Sequence, residues 1–232
     1  TKKTGTSITF QPDPTVFETV DFDWQYIIDH VRQQAYLNKG IKINLFDERE
    51  KGKFKSYEFY FEGGIKSYVK HLNANNETKH KTVFYTEKEI VPQKSSSKNN
   101  AGEKFDPVVV EIALQYVDDY RQTVKSFANN IFNPEGGMHL VGFRSALTRT
   151  LNNYARKNEI LKEKDDNLTG DDVREGLTAV ISVKVMDPQF EGQTKAKLGN
   201  PEVRTAVDSV FGERFNLFLE EHPRQAERII GT

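Results

Sequence analysis

The 232-residue sequence contains no cysteine. That excludes a disulfide framework, thiolate catalysis and any cysteine-ligated metal centre. It also lacks any apolar run approaching the roughly 20 residues that a membrane-crossing helix requires. No secretory leader pattern is visible, so the expectation is a cytoplasmic protein with no membrane partner. An excess of one charge is missing too. The 33 Lys and Arg residues nearly match the 34 Asp and Glu residues, for a formal net charge of -1. No global field draws this chain to nucleic acid, and any DNA contact has to come from a local patch. The length suits one large domain or two small ones with a real core.

What is present is a mixture of strand and helix patterns without regular alternation, which predicts an α+β fold. Ser7-Ile8-Thr9-Phe10 reads as a strand ended by Pro12-Asp13-Pro14. A chain that opens inside a strand is expected to be a piece of a longer one. Asp21 or Asp23 can cap a helix carrying Trp24, Ile27, Ile28, Val31, Ala35 and Leu37, with Gly40 as its stop. Ile41, Ile43 and Leu45 alternate as a half-buried strand, as do Tyr57, Phe59 and Phe61. Gly63-Gly64 then opens a short helix through Leu72, and Val83 with Tyr85 suggests another strand. Residues 92–104 are low in complexity and read as a mobile loop.

The second half carries the stronger signals. Val108, Val110, Ile112, Leu114 and Tyr116 alternate, and Asp118-Asp119 reads as the turn of a hairpin that continues through Val124 and Phe127. From Met138 to Lys157, Leu140, Phe143, Leu147, Leu151 and Tyr154 form one helical stripe. Ala179, Ile181, Val183 and Val185 predict a strand, and residues 190–199 a loop. Asn200-Pro201-Glu202 marks the start of a helix reaching about Glu221: a capping side chain, a first-turn proline and a carboxylate at the positive end of the dipole.

The stretch Pro134-Glu135-Gly136-Gly137-Met138-His139-Leu140, continuing through Arg144 to Asn152, resembles the ATPase component of bacterial type IIA DNA topoisomerases, the gyrase B family. The same resemblance is carried by Thr4-Gly5-Thr6, Ala35–Gly40, Tyr60–Ile65, Phe127–Ile131, Leu168–Leu177 and Phe190–Asn200. It implies that residues 1–62 are the end of a GHKL-type ATPase domain. Residues 63–232 would then be a transducer domain with a mixed sheet, long helices and a left-handed β-α-β crossover, an exception to the usual hand. It further implies ATP and magnesium as cofactors. The implied partners are DNA gyrase A, duplex DNA, the preceding part of the ATPase domain and a second copy of gyrase B in the ATP-bound state. The family's general base, magnesium-binding asparagine and adenine-binding aspartate fall before Thr4. The chain by itself is therefore expected not to hydrolyse ATP. The corresponding ATPase component of topoisomerase IV and a stand-alone binding module remain the alternatives.

By the same resemblance, Gln193 and Lys195 contact the terminal phosphate, Thr6 edges the adenine pocket and Arg144 faces the DNA cavity. A lysine is a compact cation suited to a phosphate that gains charge. Against this stand a solvated loop for Lys195, a strand threonine for Thr6 and a boundary salt bridge for Arg144. Arg149 and Arg156 lie on the polar helix face, where a solvated role is the default. Gly137 to Gly142 has the glycine spacing of a phosphate loop, but Phe143-Arg144 replaces the required lysine and hydroxyl, which rejects that motif. His139 is expected to be hydrogen-bonded near a helix start. Asp171, Asp172 and Glu175 read as helix-capping acids rather than a metal cluster.

Overall fold

The computed structural model describes residues 4–50, 52, 54–92 and 106–231. Residues 93–104 of the expected loop lie outside the described residues. Residues 4–12 have no regular structure, so the strand expected at 7–10 does not form. Ile8 is 82% exposed and Phe10 72%. The apolar alternation is there, but no neighbouring strand among the described residues offers the hydrogen-bond edge that an extended segment needs.

Helix α1 (Trp24–Leu37) begins where Asp23 accepts hydrogen bonds from the main-chain N–H groups of Gln25 and Tyr26. It packs Ile28 and Ala35 against Phe59 of the antiparallel pair β1 (Lys42–Asp47) and β2 (Lys55–Tyr60). Ile41 falls just outside β1 and is 53% exposed. Helix α2 (Gly64–Leu72) follows at once. Tyr36 of α1 stacks between Phe61, at 3.8 Å, and Tyr68 of α2, at 4.7 Å.

The main sheet has five strands. In spatial order they are β3 (Phe84–Ile90), β4 (Val108–Tyr116), β8 (Leu177–Lys184), β5 (Thr123–Ala128) and β6 (Ile131–Phe132). The hairpin expected between β4 and β5 is absent. β8 lies between them, antiparallel to β4 (Val110↔Val183) and parallel to β5 (Lys125↔Val180). The real hairpin is β5–β6, turned at Asn129 and Asn130, both with positive φ (49° and 65°). Asparagine tolerates that conformation better than other side chains. The chain passes from β5 to its parallel neighbour β8 through helix α3 (Met138–Lys157), which makes a β-α-β crossover.

The sheet is covered on both faces. Ile112, Leu114, Ala179, Ile181 and Val183 face α3 and α4 (Pro201–Glu221), where Phe143, Leu147, Phe211 and Phe215 are fully buried. At about 1.5–3 kcal/mol for each such side chain, this layer outweighs the marginal propensity of the isolated helices. Ala113, Phe127 and Val180 face α2 and the end of α1. Helix α5 (Pro223–Ile230) closes the α4 side with Ala226, Ile229 and Ile230.

A small three-stranded sheet sits where a plain loop was expected. β7 (Gly136–Gly137) runs parallel to β10 (Lys197–Leu198), which pairs antiparallel with β9 (Phe190–Glu191). A Cβ on Gly137 (φ 134°) would lie 2.3 Å from the Leu198 carbonyl oxygen, so only glycine permits this approach.

Candidate functional site

β9 and β10 form a hairpin whose tip carries Gln193, Thr194 and Lys195, all exposed. Lys195 has φ 55°, a left-handed conformation that costs a non-glycine residue about 1–2 kcal/mol and must be held by its surroundings. Within the tip, its N–H donates to the Gly192 carbonyl (3.3 Å). From behind, buried Asn133 donates through Nδ2 to the Lys195 carbonyl (2.8 Å), and the Glu135 N–H donates to the Ala196 carbonyl (3.1 Å). The Lys195 ammonium lies 5.9 Å from the centroid of the Phe190 ring. It forms no ion pair among the described residues, whereas Lys197 pairs with Glu191 at 3.1 Å. The tip is thus a fixed main chain presenting an unpaired cation beside an amide, an arrangement suited to an anionic oxygen cluster.

Thr6 lies in the exposed N-terminal segment, and among the described residues no hydrogen bond joins it to the hairpin. Arg144 is exposed on α3. The boundary salt bridge does not form among the described residues. Partial burial and the nearby Arg174 guanidinium instead hold the Arg144 pKa below the usual arginine range. Arg174 itself pairs with Asp171.

Neither of the other α3 arginines is simply solvated. Arg149 forms a two-pronged ion pair with Asp208 of α4, at 2.8 and 2.9 Å. Arg156 donates to the carbonyls of Lys162 and Asp165 and to Asn167 Oδ1, and so folds the link after α3 back onto the helix. A polar face read along one helix does not reveal the partners that neighbouring segments bring to it.

His139 is fully buried, and among the described residues neither ring nitrogen has a hydrogen-bond partner, contrary to the expected hydrogen-bonded role. Burial pushes its pKa down to about 4, so the ring is neutral. Asn200 also departs from expectation. Its side chain does not cap α4 but accepts from the Gln189 N–H (2.7 Å) and donates to the Asp187 carbonyl (3.0 Å), which pins the irregular segment leading into the hairpin. Asp172 accepts from the N–H and Oγ1 of Thr169 at a single 3-10 turn, Asp172–Arg174, which satisfies the acid locally. No group of three or more His, Asp or Glu among the described residues is placed to hold a metal ion.

Asn133 is the contributor that sequence reasoning missed. In Phe127-Ala128-Asn129-Asn130-Ile131-Phe132-Asn133 it looks like one more turn asparagine. Its target is 62 residues away in sequence, and no local signal marks it.

Known proteins resemble this chain in sequence and in overall fold. The model of the family described as DNA gyrase B matches residues 64–232. The DNA gyrase B protein of Halalkalibacterium halodurans is 51% identical over 231 residues, covering 99% of this chain and 34% of that protein. That of Clostridium acetobutylicum is 50% identical over 226 residues, covering 97% and 33%. The chain therefore spans about a third of the length of the curated relatives it matches. Among solved structures, the 43K ATPase domain of Thermus thermophilus gyrase B, in complex with an aminocoumarin, superposes with a TM-score of 0.74 at 37% identity. That match covers 95% of this chain and 54% of the other. With a family model matching residues 64–232 and a relative 51% identical over 99% of its length, the chain belongs to the DNA gyrase B family.

Proposed function

We propose that this chain is the nucleotide-sensing and transducing part of an ATP-dependent type II DNA topoisomerase that supercoils DNA. In this reading residues 1–62 complete an ATPase domain and residues 63–232 form the transducer. Lys195, with Gln193 beside it, contacts the terminal phosphate of ATP. Thr6 borders the adenine and Arg144 lines a passage for duplex DNA. ATP is used with magnesium. The partners are DNA gyrase A, duplex DNA and a second copy of gyrase B, in the cytoplasm. No described helix is long and apolar enough to cross a membrane.

The observation that carries the reading is the unpaired Lys195 on a hairpin tip whose main chain is fixed from behind. A group held in place before the nucleotide arrives stabilises developing phosphate charge without reorganising. Contact with a triphosphate and its loss with a diphosphate give the hairpin two nucleotide-dependent affinities, the requirement for a rigid-body switch of the layers around it. In the full-length protein, Lys195→Ala should nearly abolish ATP turnover while the fold is retained; unchanged turnover would sink the assignment. Reconstituted with gyrase A, the protein should supercoil relaxed plasmid. Decatenation without supercoiling would reassign it to topoisomerase IV.

A further inference from the structure

The hairpin tip and helix α1 are gripped by opposite ends of one short segment, residues 130–133. At one end, Asn130 Nδ2 donates to Asn38 Oδ1 (2.9 Å), and Gln34 Nε2 of α1 donates to the Asn130 carbonyl (3.2 Å). At the other end, Asn133 Nδ2 donates to the Lys195 carbonyl (2.8 Å). Asn133 is 1% exposed and anchored on its own account. Its N–H donates to the Ser126 carbonyl (2.9 Å), while its carbonyl accepts from Ser126 Oγ (3.0 Å) and from the Gly136 N–H (2.9 Å). Among the described residues, no other side chain hydrogen-bonds the main chain of residues 193–196.

We propose that Asn133 is a positioning residue that sets Lys195 toward the terminal phosphate. The proposal rests on the reading of Lys195 given above. The chemistry suits the task. A neutral amide donor holds the carbonyl of a residue in a left-handed conformation and leaves the ammonium free. A carboxylate at the same position would attract the Lys195 ammonium and have no proton to give the carbonyl. Because the anchor is buried and fixed by Ser126, the tip takes its orientation from the main sheet rather than from solvent-exposed loop contacts. A slight misplacement of a catalytic cation is enough to slow a reaction that depends on alignment.

The test uses the full-length protein with Asn133→Ala, Asn133→Leu and Lys195→Ala. Leucine fills the space of asparagine without a donor and so separates lost positioning from a cavity. Dissociation constants are measured for ADP and for a non-hydrolysable ATP analogue, alongside turnover. Both Asn133 variants should weaken the analogue and slow turnover, by roughly three- to tenfold, with ADP affinity unchanged. Lys195→Ala should do the same more strongly. Wild-type affinity for the analogue in both Asn133 variants, while Lys195→Ala loses it, would overturn the positioning role and leave the reading of Lys195 standing. Equal loss of ADP and analogue, or unfolding of both variants, would mark Asn133 as merely structural. An unchanged analogue-to-ADP ratio in Lys195→Ala would remove the reading of Lys195 and this inference together.

Discussion

Gly142→Ala sets two effects of opposite sign against each other. The residue lies inside α3, where replacing glycine by alanine gains about 1 kcal/mol of helix propensity. The new Cβ, however, would lie 2.4 Å from the carbonyl oxygen of Arg204 in the first turn of α4, and 3.2 Å from its carbonyl carbon and Cα. An ordinary carbon–oxygen contact is about 3.3 Å, so the helices would have to separate by about 0.9 Å. Main-chain atoms in a helix cannot rotate away. The separation would also loosen Phe143 against Phe211, whose ring centroids are 4.7 Å apart. Overpacking of this kind costs about 1–3 kcal/mol, so after the propensity gain of about 1 kcal/mol the clash wins by up to about 2 kcal/mol. For a chain of this size that corresponds to a fall in Tm of up to about 8 °C. Gly212→Ala is the control. It lies at the same helix pair, but its Cβ would meet first the end of the Arg149 side chain, at 3.1 Å, which can move. Its Tm should hold or rise by about 1–3 °C. Thermal unfolding followed by circular dichroism measures both, and a Gly142→Ala Tm at or above that of Gly212→Ala would refute the close helix contact.

His80 and His139 are both buried with pKa values pushed down to about 4, chiefly by burial. The unfolded chain binds their protons near pH 6.5 and the folded chain does not, so stability is full above that pH and falls as pH drops from about 6.5 toward 4. Urea midpoints at pH 7 and pH 5 should show the fall. His139→Leu, which removes a ring without partners, should flatten that slope while leaving stability at pH 7 nearly intact; an unchanged slope would contradict the neutral buried ring. The Arg149–Asp208 pair is half exposed on the arginine side. Arg149→Ala should therefore cost only about 0.5–1 kcal/mol, less at high salt, and a loss of several kcal/mol in a urea titration would contradict a surface pair.

The long helices were legible because their signals are local. The stripe from Leu140 to Tyr154 and the Asn200-Pro201 start fixed the extents of α3 and α4 without reference to the rest of the chain. Strand pairing was not legible. The segment Thr123–Ala128 reads as the return arm of a hairpin, but β8, arriving some fifty residues later, takes the place beside β4. β4 misleads in another way. Its alternation implies a wet face, yet Glu111 and Gln115 on that face are buried. Glu111 accepts from the Tyr85 hydroxyl, and Gln115 bonds with Asn73 and the His80 carbonyl. Polar residues point to water in a sequence, but in a three-layer fold they can be satisfied by one another. The candidate site residues Gln193, Lys195, Thr6 and Arg144 were named through resemblance alone. Asn133 was reached by neither route, because its role depends on a contact across the fold.

The two glycines of β7 give the Lys195 hairpin an attachment made wholly of main-chain atoms. Such a grip is blind to the identity of the side chains beyond it. The letters at the tip can therefore change while the tip stays where it is, and a new functional group placed at 193 or 194 would inherit a location already defined. Replacement at Gly137 has the opposite character: it leaves every chemical group of the tip intact and removes the address.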